Sequence, residues 1–229
     1  RRLCRAIFDR AIATIDTFDF PHSRAYAIIG LYHAYAGLRE PQYATAIRYL
    51  ADQLLEAYER ERQDGWNWFA DIMTYDNARL PEALIRAGYV LGDARYRQAG
   101  LEALDFYENV TIVDGIFVPI GNEGWYRRGG DRAIYSQQPL DACAMIDAEL
   151  AAFDATEDAT HLAKAELGLA WFYGKNSRGE TIAHGGGCFD GLDEHAVNRN
   201  MGAESTLALL SGAYAMAERQ TRTLRAVNR

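Results

Sequence analysis

Eight stretches of this chain space their apolar residues three and four apart, and short turns alternate with long loops between them. Cys4, Ile7, Phe8, Ala11, Ile12 and Ile15 form the first such stripe, and Ala25, Ile28, Ile29 and Tyr32 the second. Tyr43, Ala46, Ile47, Leu50 and Leu54 make the third, and Leu80, Ala83, Leu84, Ala87 and Leu91 the fourth. Residues 96–107, 140–153, 162–173 and 207–217 continue the period. Each stripe predicts an amphipathic helix with one face turned to a core. Period-two alternation is confined to residues 111–119, which read as a short hairpin strand. The fold class is therefore all-α.

An internal repeat orders the helices. Tyr35 to Tyr43, Tyr89 to Tyr96 and Phe153 to His161 each run from an aromatic through a short turn to an acidic residue, then to an aromatic or His three positions on. Glu40, Asp93 and Asp158 are placed to cap the helix that follows each turn. Their separations of 53 and 65 residues exceed a 34-residue tetratricopeptide unit. Each unit thus holds a helical hairpin plus an excursion, at residues 62–74, 110–137 and 175–202. In antiparallel hairpins these excursions fall at one end, opposite the short turns. Trp66, Trp68, Phe69, Tyr75, Phe117, Trp125, Tyr126, Tyr135 and Phe189 make them too aromatic for disordered tails. Alternating short and long connections are what an (α/α) toroid requires, with the long loops around a central funnel.

An aromatic funnel floored by carboxylates suits sugars, whose apolar faces stack on Trp or Tyr and whose hydroxyls take bonds from acids, amides and Arg. The first loop supplies Trp66, Trp68, Asp71, Asp76, Asn77 and Arg79; the second supplies Trp125, Gln137 and Gln138. The third supplies Asp190, Asn198 and Asn200, with Glu204 opening the last helix. Asp76, Asp190 and Glu204 are the candidate catalytic acids and bases, and the others are candidate substrate ligands. Asp76 and Glu204 also stand where capping or a helix dipole would favour an acid, so both readings stay open.

Composition narrows the partners. Against 24 Lys and Arg stand 32 Asp and Glu, a net charge of −8 that disfavours nucleic acid and anionic membranes. The longest run without Asp, Glu, Lys or Arg covers residues 25–38, too short to span a bilayer. No secretory leader is visible, so a cytoplasmic location is expected. Cys4, Cys143 and Cys188 do not suggest a disulfide framework. His184, Cys188, Asp190 and His195 match no standard zinc spacing, and neither metal nor cofactor is expected.

These motifs carry a family resemblance. Trp68-Phe69 with Tyr75-Asp76-Asn77-Ala-Arg79-Leu-Pro81, Pro119-Ile-Gly-Asn122 with Gly124-Trp125, and Gln137-Gln138-Pro139 form its first half. Gly186-Gly187-Cys188 with Asp190-Gly191-Leu192, and Asn200 with Gly202-Ala-Glu204-Ser205-Thr206-Leu207, complete it. Together they resemble the (α/α) toroid domains fused C-terminal to retaining glycosyltransferases, which share their architecture with helical-barrel glycoside hydrolases and sugar 2-epimerases. The resemblance implies a sugar or oligosaccharide ligand and a glycosyltransferase domain as partner. It implies a glycoside-hydrolase-like or glycosyltransferase-associated activity, or else a module that only binds glycan. A two-histidine epimerase would draw on His22, His184 and His195. Ala70 stands where the resemblance places an acid. Four hairpins, where a closed toroid has six or seven, make residues 1–229 read as one domain, the C-terminal part of a longer ring. The uncovered flanks of such a part predict self-association.

Overall fold

The computed structural model describes the backbone of residues 2–227 and the side chains of residues 3–221. It contains eight α-helices among the described residues, at each place where the period predicts one. The chain divides into two compact units, residues 1–70 with 79–103 and residues 71–78 with 104–229.

The first unit holds α1 (Arg2–Ile12), a 3-10 turn (Ile15–Thr17), α2 (Pro21–Leu38), α3 (Pro41–Glu61), α4 (Arg79–Leu91) and the start of α5 (Ala94–Thr111). Proline at the first position opens α2 and α3, where its missing N–H costs nothing. The turn between them is two residues long. Arg39 takes a left-handed conformation there and its N–H closes on the Tyr35 carbonyl at 2.8 Å. α2 packs on both α3 and α4. The stripe of α3 supplies the core, with Tyr43, Ile47, Leu50 and Leu54 fully buried.

Two of the three acidic turn residues cap as expected. Asp93 accepts the N–H of Arg95 at 3.0 Å, and Asp158 that of Thr160 at 2.9 Å. Glu40 does not. It occupies the cap position of α3, but its longer side chain turns outward to Arg5 and to Gln42.

The second unit holds the end of α5, α6 (Pro139–Thr156), α7 (Thr160–Phe172) and α8 (Ala203–Val227). α6 packs on both α7 and α8, and from Pro139 to Ala152 only Leu140 and Asp147 are not buried. The remaining chain forms four two-residue antiparallel ladders. β2 (Ile112–Val113) and β3 (Ile116–Phe117) make the hairpin expected in 111–119, turning on Asp114-Gly115. β1 (Ile72–Met73) pairs with β4 (Tyr126–Arg127), β5 (Ala183–His184) with β6 (Gly187–Cys188), and β7 (Gly191–Leu192) with β8 (Val197–Asn198). The long loops are therefore ordered by short ladders and side-chain bonds, as their aromatic content requires.

Candidate functional site

Of the residues singled out in the sequence, Trp66, Trp68 and Arg79 belong to the first unit. Trp66 and Trp68 are 2% and 1% exposed. The Trp66 indole donates to the Ala70 carbonyl at 2.7 Å, and Trp68 meets Phe69 edge to face. Both rings are spent on packing the loop. Arg79 lies at 2.8 Å from the buried Glu82 carboxylate, which Arg86 holds from the other side at 2.7 Å. Burial alone would raise the Glu82 pKa, yet the two guanidiniums outweigh it and the carboxyl titrates below its ordinary 4.5.

Most of the others lie in the second unit. Asp190 is fully engaged: Oδ1 accepts the Gly202 N–H at 2.7 Å, Oδ2 accepts the Asn200 amide, and the Ser205 side chain adds a further bond. These bonds, Ser205 first, hold the Asp190 carboxyl below its usual range. Its own N–H donates to the carbonyls of Asn198 and Asn200. Asp190 thus ties its loop to the start of α8. Glu204, Asn198 and Asn200 are exposed beside it.

Gln137 is wholly buried and its amide is fully used. Nε2 donates to the Ile134 carbonyl and the Ser177 hydroxyl, both at 2.7 Å, while Oε1 accepts the Trp171 indole N–H at 2.9 Å. Its backbone exchanges both bonds with Leu192 at 3.0 Å. A Cβ on Gly191 would sit 2.3 Å from the Gln137 carbonyl oxygen, which explains the glycine there. Gln138 occupies the cap position of α6 without a side-chain cap bond.

Asp71 is exposed, 3.8 Å from Arg127 across the β1–β4 ladder. Asn77 is buried and clamps its own loop, accepting the Thr74 N–H at 2.9 Å and donating to the Thr74 carbonyl at 3.1 Å. Asp76 beside it is 4% exposed and has a left-handed backbone, φ 48°. It bears electrostatically on a group that sequence reasoning missed. Tyr107 of α5 is fully buried, and Asp141 and Asp76 both lie close enough to oppose its ionisation. Burial is the first cause of its raised pKa, those two carboxylates come next, and Arg132 pulls the other way. Asp141, in the first turn of α6, is fully buried.

A second buried cluster lies in the same unit. Glu108 of α5, Glu149 of α6 and His161 of α7 present ligand atoms within 4.8 Å of one another. Burial raises the carboxyl pKa values, to about 8 for Glu108 and about 7 for Glu149. The sequence does carry a signal for Asp141 and Glu149. Each is an acid in the mostly apolar, buried run of α6, which also carries the less buried Asp147.

Among the described residues other than glycine, three left-handed ones are neither a helix end nor a hairpin turn: Asp76, Trp125 (φ 59°) and Ser136 (φ 60°). For a ring as large as Trp125 that conformation is strained. Backbone bonds from Trp125 N–H to Gly121 and from Ala133 N–H to Trp125 impose it, leaving the indole 37% exposed. Tyr75 is exposed as well. Of the loop histidines in the second unit, His184 stacks on Phe189, and His195 sits 3.7 Å from its neighbour Glu194. Cys188 donates its thiol to the Phe189 carbonyl, and burial pushes its pKa to about 12, far from a metal-binding thiolate.

No family model matches this chain, and no curated protein does. A solved structure shows its fold. It is a selenomethionine derivative of a GH76 α-mannanase from Bacteroides thetaiotaomicron, superposable with a TM-score of 0.64 over 90% of this chain at 15% identity. The chain spans 54% of that enzyme's length. The likeness is one of fold, and it bears out an all-α chain of helical hairpins of the (α/α) toroid type. Among the described residues no helix is long and apolar enough to cross a membrane.

Proposed function

We propose that this chain is part of a carbohydrate-active (α/α) domain acting at a glycosidic or anomeric centre, with Asp76 and Asp141 as its acid and base. One observation carries the reading: two buried carboxyl groups, from the loop before α4 and the first turn of α6, both bear electrostatically on the buried Tyr107 and oppose its ionisation. Two acids in one low-dielectric site cannot both ionise cheaply, so environment divides them into a proton donor and an anion. The N-terminal dipole of α6 favours the anion at Asp141. That leaves the donor role to Asp76, and Trp125 and Tyr75 offer exposed faces for sugar stacking. The fold of an α-mannanase is consistent with this chemistry.

The residues first singled out as acids support less. Asp190 is bound on both oxygens and Glu204 is exposed at a helix start. These facts favour the second reading, a glycan-binding module that positions substrate for a glycosyltransferase. A panel of α-linked manno-oligosaccharides and α- and β-linked gluco-oligosaccharides, followed by proton NMR for binding and turnover, separates the two. Turnover establishes the enzyme, and the product anomer tells whether the carboxyls work at the roughly 5–5.5 Å of retention or the roughly 6.5–9.5 Å of inversion. Binding without turnover of any member establishes the module.

A further inference from the structure

The cluster at the junction of α5, α6 and α7 is not used by the chemistry proposed above. Glu149 is fully buried and Glu108 nearly so. His161 Nδ1 lies 2.7 Å from Glu149 Oε2, and the Lys164 ammonium donates to Glu108. Glu149 Oε1 is buried and receives no hydrogen bond from Lys164, His161 or a backbone N–H; a further group within hydrogen-bonding reach of Glu149 is the second carboxyl, Glu108. Two carboxyl groups therefore share a single ammonium. Asp105 and Asp158, exposed nearby, add only negative potential. With no cation bound, a proton held between Glu108 and Glu149 offsets the excess negative charge, and a divalent cation at the open oxygen would displace it.

We propose that Glu108, Glu149 and His161 form a binding site for a divalent transition cation of the zinc class. Two carboxylate oxygens and one imidazole nitrogen, one from each of three helices, are a borderline-soft donor set suited to such an ion, with water completing its shell. Magnesium, which prefers six oxygens and keeps several waters, fits them poorly. The site has an approach from solvent, since the His161 side chain is 13% exposed and that of Lys164 is 29% exposed. Lys164 has a flexible four-carbon stem. It can swing outward and yield the Glu108 carboxylate as the cation arrives. The ion would pin the end of α5 to the α6–α7 hairpin.

The test uses the full chain, stripped with a chelator and titrated with Zn²⁺ by calorimetry, with Co²⁺ absorption as a second readout. One Zn²⁺ per chain is expected, with a rise in melting temperature and Co²⁺ bands in the visible. Glu149→Gln and His161→Asn should each weaken binding at least tenfold, and Lys164→Met should leave it unchanged or tighter. Uptake below one ion per ten chains would overturn the site. So would stoichiometric uptake insensitive to both ligand substitutions. If a ligand variant does not fold, the Co²⁺ spectrum of the wild-type chain decides: bands without an imidazole contribution to the paramagnetically shifted NMR signals also overturn the proposal.

Discussion

The Gln137 amide oxygen accepts the Trp171 indole N–H at 2.9 Å, joining two residues 34 apart in sequence, both wholly buried. With Ser177 and Leu192 also bound to Gln137, one side chain and its peptide hold the second long loop to the third. Its place in the sequence suggested a sugar ligand, and its surroundings make it a structural junction.

Trp171→Phe should leave the Gln137 oxygen buried without a donor. The expected loss of stability is about 1–3 kcal/mol, the cost of one orphaned polar group. Gln137→Met removes three bonds at once and should cost more. Urea unfolding followed by tryptophan fluorescence measures both.

Glu82 sits between two guanidiniums and is 1% exposed. Glu82→Gln leaves Arg79 and Arg86 without their anion and should destabilise by about 3–5 kcal/mol. The pH dependence follows from its lowered pKa. A depressed carboxyl contributes stability that is complete above the unfolded value near 4.5 and is lost as pH falls through the folded value. The gap between wild type and variant should therefore close on acidification below pH 4.5. A gap independent of pH from 7 to 3 would count against the ionised triad.

α8 exposes Leu207, Leu210 and Tyr214, spaced three and four apart along one face. The isolated chain should self-associate with rising concentration, and Leu210→Glu with Tyr214→Glu should suppress it. Light scattering reads the outcome. A wild-type monomer at high concentration would contradict the expectation.

The helices were legible because burial stamps a period on the sequence: Tyr43, Ile47, Leu50 and Leu54 appear in order, and so does the core they build. The 111–119 hairpin was legible for the same reason. The loops were not. Nothing in Trp66-Asn-Trp68 distinguishes a ring packed inside from one facing a sugar, since indole serves both uses. Nor does local sequence show that Asp190 is consumed by Asn200, Gly202 and Ser205, ten to fifteen residues away. Tyr107 hid within a regular apolar stripe. Asp141 and Glu149 could have been found, since an acid in the midst of Ala, Cys, Met, Ile and Leu is costly to bury.

The account turns on Asp76. The most direct measurement compares wild type with Asp76→Asn on an oligosaccharide that the wild-type chain turns over, reading kcat and binding separately. The account predicts a fall in kcat of at least a hundredfold with affinity changed less than threefold, since the amide keeps the shape but cannot deliver a proton. Unchanged kcat, or loss of binding alone, would contradict a catalytic Asp76.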